Sequence, residues 1–311
     1  MTDDRSQDRP RRIVVVGSLN MDLVLSAARC PEAGETLTGH GFAVHPGGKG
    51  ANQAIACARL GAPVAMVGRL GQDGFAATLR QGLLDAGIDA DAVGTDPSLA
   101  SGTAMIIVED SGQNRILLAP GANAALSVAA IDAEAERIAQ AALLVLQLEV
   151  PFACVERAIA IAADAGVPIL FNPAPAAALD AGLIAKIDYL VVNETEAALI
   201  AGHAVIDRAS ATIAAGILLS MGARHVLLTL GAEGALVADG AGVRHYPAFP
   251  TTVVDTTAAG DTFIGGLAAA LIEGATLDRA VRLGMAASAI CVSRPGAQPS
   301  IPFRAEVVLA D

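Results

Sequence analysis

Short apolar runs alternating with helical stretches dominate the chain from residue 142 onward. Residues 142–148 (ALLVLQL), 168–171 (PILF), 189–192 (YLVV) and 225–230 (HVLLTL) read as buried strands. Helices are expected between them over 152–165, 194–201 and 208–221. The same logic makes 13–16 (IVVV) and 64–67 (VAMV) strands, with a helix over about 50–60. Continuous apolar strands separated by helices indicate a mostly parallel sheet with helices on both faces. The pattern therefore predicts a three-layer α/β/α fold.

Two stretches break this rhythm. Residues 34–46 and 99–119 alternate and carry Gly and Thr with few helix signals, and the second reads as a hairpin turning at 109–112. Both are assigned to a small β-sheet set apart from the main one, as a lid. Ala104, Ile106 and Val108 alternate with Met105 and Ile107, so both faces of that strand are apolar. One face covers a site and the other needs a partner. No low-complexity linker or short repeat divides the chain. Residues 1–12 (MTDDRSQDRPRR) are expected to be a loose polar arm and 13–311 one domain.

Composition narrows the chemistry. Of 311 residues, 53% are hydrophobic and 17% charged, enough for a substantial core. A formal net charge of −12 argues against nucleic acid or an anionic membrane as partner. An anionic substrate then requires a local positive site. The longest uncharged run, 116–131, is too short to span a bilayer and contains Pro120 and Gly121. Cys30, Cys57, Cys154 and Cys291 form no CxxC pair, and a reduced cytoplasmic protein is the simplest account. The five histidines show no metal-ligand spacing.

Three segments carry candidate chemistry. In 253–263 (VVDTTAAGDTF), small residues leave backbone amides uncovered just before an apolar helix expected to start near Thr262. Such a terminus attracts anions, and Asp261 sits where one would lie. A capping role is the competing reading of that Asp. Residues 45–61 (HPGGKGANQAIACARLG) place three glycines around Lys49 ahead of a helix. This is no Walker A loop, because Gly50 follows Lys49 and Ala43 occupies the first glycine position. Residues 17–22 (GSLNMD) set Asn20 and Asp22 at the carboxyl end of the first strand, where open α/β sheets bind ligands. An Asx turn accounts for that pair equally well.

Together these segments resemble the ribokinase-like (PfkB) carbohydrate kinases. GSLNMD, PGGKGANQA, ARLGA, GRLGQDGF, PGANAAL, LQLEVP, NETEA, TLGAEGA, VDTTAAGDTF and GAQPSIP occur in the family's order between residue 13 and about 303. The Gly-Gly-Lys-Gly-Ala-Asn loop and the Ala-Ala-Gly-Asp turn match the two family signatures, and GANAAL and GAQPS point to members acting on ribose. The resemblance implies transfer of the ATP γ-phosphate to O5 of D-ribose. Asp261 would be the base and the Ala258, Ala259, Gly260 and Asp261 amides the anion hole. Asn20, Asp22, Gly48, Lys49, Asn52 and Glu149 match sugar-binding positions. Asn193 and Glu196 match residues organising the Mg²⁺–nucleotide phosphates, although Asn193 with Glu196 also fits a capping box. Thr229, Gly231 and Gly234 match the nucleotide turn. Asp255, Thr257, Cys291, Arg294, Gly296 and Ser300 match a monovalent cation (K⁺) site, mostly through backbone carbonyls. The resemblance also implies a homodimer clasped through the lid strands. Met285 departs from the polar residue frequent near adenine, and Ile264 from a frequent Asn. A deoxyribose, nucleoside or hexose kinase of the same family is the rival. The absence of Trp, with two Tyr and seven Phe, leaves little surface for stacking a nucleobase and favours a bare sugar.

Overall fold

The computed structural model describes residues 12–309. Among the described residues there are thirteen strands: β1 Ile13–Val16, β2 Asn20–Ala27, β3 Gly41–Gly47, β4 Val64–Leu70, β5 Val93–Thr95, β6 Gly102–Glu109, β7 Asn114–Ala119, β8 Leu143–Leu146, β9 Ile169–Phe171, β10 Tyr189–Asn193, β11 His225–Thr229, β12 Ala235–Asp239 and β13 Gly242–Tyr246. Nine of them form the central sheet in the order β13-β12-β11-β10-β9-β8-β1-β4-β5. Its pairings are parallel except β11 with β12 and β12 with β13.

Alternation within each strand explains why the apolar runs are continuous. Ile13 and Val15 enter one core, Val14 and Val16 the other, and all four are buried. On the first face lie α1 (Lys49–Arg59), α2 (Gly74–Asp85), α9 (Ala259–Ile272) and α10 (Leu277–Cys291). The opposite face is covered by α3 (Val128–Ala133), α4 (Ala135–Ala139), α5 (Phe152–Asp164), α6 (Ala181–Ile184), α7 (Glu194–Ala201) and α8 (Arg208–Ser220). Helix α9 packs on α1 at a separation only glycine permits. A Cβ at Gly265 would lie 2.2 Å from the Ala56 Cβ. This close crossing brings the first turn of α1 against the first turn of α9.

The remaining strands form a separate sheet in the order β3-β2-β6-β7. The expected hairpin is β6 and β7. The first lid stretch is shorter than expected: residues 34–40 are irregular and the strand starts at Gly41. Strand β2 was not anticipated, because Asn and Asp are depleted in strands. Asn20 and Asp22 therefore stand at the start of a lid strand, beyond the end of β1. Leu25 pairs with Phe42 and with Ile107, and Met105 with Leu117, so these side chains share one face. That face is open: Phe42 is 68% exposed and Leu117 72%. The expected arm at 1–12 lies outside the described residues except for Arg12, whose guanidinium donates to Asp89 at 2.6 Å. Among the described residues no helix is long and apolar enough to cross a membrane.

Candidate active site

Where β3 runs into α1, the backbone turns at Gly48 with φ 88°. A Cβ on the preceding Gly47 would fall 2.1 Å from Asp22 Oδ2, so the bare backbone is what admits this carboxylate. Glu149 follows β8, and its Oε2 accepts from Ser18 Oγ at 2.6 Å, the Lys49 amide at 3.0 Å and Asn20 Nδ2 at 3.4 Å. The Asn20 amide has one orientation. Its Oδ1 accepts from Asn123 Nδ2 at 2.8 Å, while Asn123 Oδ1 accepts from the Leu19 amide at 3.0 Å. Asn20, Asp22, Gly48, Lys49, Asn52 and Glu149 are thus brought together where β2, β3 and the start of α1 meet. Ser18 and Asn123, which hold them, were not singled out from sequence. Asn123 lies within the GANAAL block, which marked its neighbourhood without its role.

Carboxylates dominate this cluster. Burial, then the charges of Glu149 and Asp261, push the Asp22 carboxyl up from 3.8 to about 7. Burial opposes the charge on Lys49, but the Asp261, Glu149 and Glu196 carboxylates outweigh it and hold its pKa above the ordinary value. Asp22 binds its proton more tightly folded than unfolded, so the stability this confers is lost as pH rises from about 4 through about 7. Asp22→Asn should therefore raise the melting temperature more at pH 8 than at pH 5, while weakening the sugar binding that the resemblance implies by about 10-fold or more. Parallel melting curves and binding titrations check both effects.

Helix α9 begins at Ala259, three residues earlier than expected, because Ala258 adopts a left-handed conformation at φ 60° and serves as N-cap without a side-chain bond. Asp261 is consequently in the first helical turn and is not the cap. The Ala259 amide donates to the Thr256 carbonyl at 3.2 Å, whereas the Ala258, Gly260 and Asp261 amides have no backbone acceptor. Three of the four amides of the predicted anion hole are therefore open, and that of Ala259 is not. A Cβ at Gly260 would meet nothing within 4 Å. The buried Asp261 carboxylate accepts from Asn52 Nδ2 at 3.0 Å through Oδ2 and from Gln53 Nε2 at 2.9 Å through Oδ1. Asn52 Oδ1 is itself buried and unpaired. Gln53 and Asn172 are the second pair that sequence reasoning missed.

Glu196 closes a capping box on α7 with Asn193, as the spacing predicted. It accepts from the Asn193 amide at 2.9 Å, from Asn193 Nδ2 at 3.1 Å and from Asn172 Nδ2 at 3.3 Å. Burial raises its pKa, against the pull of these donors and of Lys49. From the start of α9 a cleft of about 550 Å³ runs outward, bounded by Thr229, Gly231 and Gly234 on one side and Phe263, Met285 and Val292 on the other. Gly260 is among the residues that line it. A wider, shallow hollow of about 680 Å³ beside Arg208 and His245 includes none of these groups.

Behind α9, Asp255 staples two loops. Its Oδ1 accepts from the Thr257 amide at 2.9 Å and the Thr257 hydroxyl at 2.6 Å, and its Oδ2 from the Gly296 amide at 2.8 Å. Burial opposes ionisation here, but these bonds outweigh it and hold the pKa below the ordinary value. Cys291 Sγ lies 3.0 Å from Ser300 Oγ and donates to the Thr257 carbonyl at 3.6 Å. Five of the six predicted cation residues therefore meet. The Arg294 guanidinium instead turns away to Glu306 at 2.7 Å, leaving only its backbone available. Carbonyl-rich loops around an ionised carboxylate suit a large monovalent cation. Among the described residues no group of three His, Cys, Asp or Glu side chains is arranged to hold a metal unaided.

The family model for pfkB family carbohydrate kinases matches residues 10–304. A ribokinase from Haemophilus influenzae is 43% identical over 298 residues, covering 96% of this chain and 97% of its own. A ribokinase from Schizosaccharomyces pombe is 43% identical over 307 residues, covering 95% and 96%. The structure of Arabidopsis thaliana ribokinase complexed with ribose and ATP superposes with a TM-score of 0.88 at 32% identity, covering 96% of this chain and 98% of that one.

Proposed function

The chain belongs to the pfkB family of carbohydrate kinases, and we propose that it transfers the γ-phosphate of ATP to O5 of D-ribose, giving D-ribose 5-phosphate and ADP. The observation that carries this reading is the placement of Asp261. Its carboxylate is held on both oxygens by Asn52 and Gln53, next to the Gly260 that lines the cleft and near Asp22, Lys49 and Glu149. Asn20, Asp22, Lys49, Asn52 and Glu149 offer paired donors and acceptors to a polyol, and an analogue lacking a hydroxyl would leave buried groups unpaired.

Asp261 receives the proton of the O5 hydroxyl as that oxygen attacks the γ-phosphorus. The Gly260 and Asp261 amides face the charge that develops on the transferring group, and the Lys49 ammonium adds a counter-charge. Thr229, Gly231 and Gly234 carry the nucleotide, with Met285 beside the base. Asn193 and Glu196 would orient the phosphates and the Mg²⁺ that accompanies them. Mg²⁺, when bound, offsets the phosphate charge. K⁺ would be held by carbonyls of the Asp255–Thr257 and Cys291–Ser300 loops and would stiffen them behind the anion site. Four free cysteines suit a reducing, cytoplasmic setting. Residues 13–311 act as one catalytic domain whose lid closes over the sugar.

ADP release measured with ribose, 2-deoxyribose, fructose, adenosine and inosine tests the proposal. Ribose should give the highest kcat/KM, with a rate that vanishes without Mg²⁺ and is higher in KCl than in choline chloride. A preference for a nucleoside or hexose would overturn the substrate assignment, and equal rates in the two salts would remove the cation site.

The open apolar face of the lid sheet is the natural place for a second copy of the chain. Light scattering at micromolar concentration should give twice the 31.2 kDa chain mass. Leu117→Asp, a change at an exposed position that spares the monomer, should shift the mass toward one chain. An unchanged mass in that variant would exclude this face as the interface.

A further inference from the structure

We propose that Gln53 is a positioning residue that holds the Asp261 carboxylate in its reactive orientation and ties it, through Asn172, to Glu196. The inference rests on the reading of Asp261 as the base and of Glu196 as a phosphate organiser. Gln53 lies in the second turn of α1 and is 0% exposed. Its Nε2 donates to Asp261 Oδ1 at 2.9 Å and to Asn172 Oδ1 at 3.3 Å, and its Oε1 accepts from Gln147 Nε2 at 2.5 Å. Asn172, just past the end of β9, donates to the Val191 carbonyl at 3.0 Å and to Glu196 Oε2 at 3.3 Å.

Chemistry permits only one sense for this chain of bonds. An ionised carboxylate accepts and cannot donate. Asp261 at one end and Glu196 at the other therefore each demand an NH₂ group. Gln53 must turn its nitrogen to Asp261 and Asn172 its nitrogen to Glu196. The second Gln53 N–H then meets the Asn172 oxygen, and the Gln53 oxygen is left for Gln147. No amide in the chain is free to flip without leaving a buried donor facing another donor, at a cost of about 1–3 kcal/mol. A long amide in a helix–sheet core also loses rotamer freedom and hydration, which an apolar side chain of the same size would avoid. Its presence is accounted for by what it holds. With Asn52 on Oδ2 and Gln53 on Oδ1, the plane of the carboxylate is determined, and each oxygen keeps capacity for one further contact.

The test is the pH dependence of kcat for Gln53→Leu and Gln53→Glu, with melting curves recorded on the same samples and Asp261→Asn run in parallel. Loss of the donor removes a bond that favours the anion, and Glu adds a like charge beside it. Gln53→Leu should lower kcat by about 10- to 100-fold with the KM for ribose changed less than about threefold, and the acid limb of the profile should move to higher pH. Gln53→Glu, nearly isosteric and expected to fold even if the Leu variant does not, should move that limb further. A purely structural Gln53 would lower the melting temperature and leave the limb in place, which would overturn the inference. Full activity of Asp261→Asn would instead overturn the reading of the base. Loss of activity there, with unshifted limbs in both Gln53 variants, would sink this inference alone.

Discussion

Asp261→Asn should lower kcat by a factor on the order of 10² to 10⁴, the range expected for loss of a general base. Asn has the same shape, so the side chain still reaches Asn52 and Gln53. Only one of its two polar atoms accepts, however, and one donor amide will face an NH₂ group. That mismatch costs about 1–3 kcal/mol of stability, which a domain of this size tolerates. The proposed sugar ligands Asn20, Asp22, Lys49 and Glu149 are untouched, and calorimetric ribose affinity should stay within about threefold of wild type. Near-normal kcat in a folded variant would contradict the assignment of the base.

Gly260→Val should separate stability from activity in the opposite sense. Gly260 is the second residue of α9 in ordinary helical conformation, and nothing lies within 4 Å of an added Cβ. Replacing glycine inside a helix gains a few tenths of a kcal/mol, so the melting temperature should be unchanged or slightly higher. The new methyl groups would intrude on the 550 Å³ cleft that Gly260 lines, beside the open amides proposed to receive the transferring phosphate. Loss of such a site is worth about 10²- to 10³-fold in kcat, and kcat/KM for ATP should fall by at least that much while ribose binding persists. A fully active Gly260→Val enzyme would place the phosphate elsewhere.

Much of this arrangement is legible along the chain. The alternation of apolar runs and helices encodes the parallel sheet because strands buried on both faces need no polar positions. The first turn of α9, proposed as the anion site, stood out because small residues ahead of an apolar helix have few other uses. Its true start was not, since only the left-handed turn at Ala258 moves the cap back to that residue. Strand β2 was hidden because its first and third residues are the polar groups that face the site. Strands β12 and β13 close one edge of the sheet through a two-residue Gly240-Ala241 turn, a hairpin signal distinct from the strand–helix alternation. Gln53 and Asn172 left no trace. A single amide in an Ala-rich helix, or one after a strand, acquires meaning only when folding brings Asp261 and Glu196 to its two sides. Lid stretch 34–46 shows the limit of alternation as a signal, because glycines and a turn before Gly41 imitate a strand that does not form.

The most direct measurement of the central claim is the phosphorus NMR spectrum of the product formed from ribose and ATP. Transfer to O5 with Asp261 as base predicts one phosphomonoester per ATP consumed, its signal split by the two protons of the C5 methylene group. A doublet from a single C1 proton, or inorganic phosphate in place of an ester, would contradict the account.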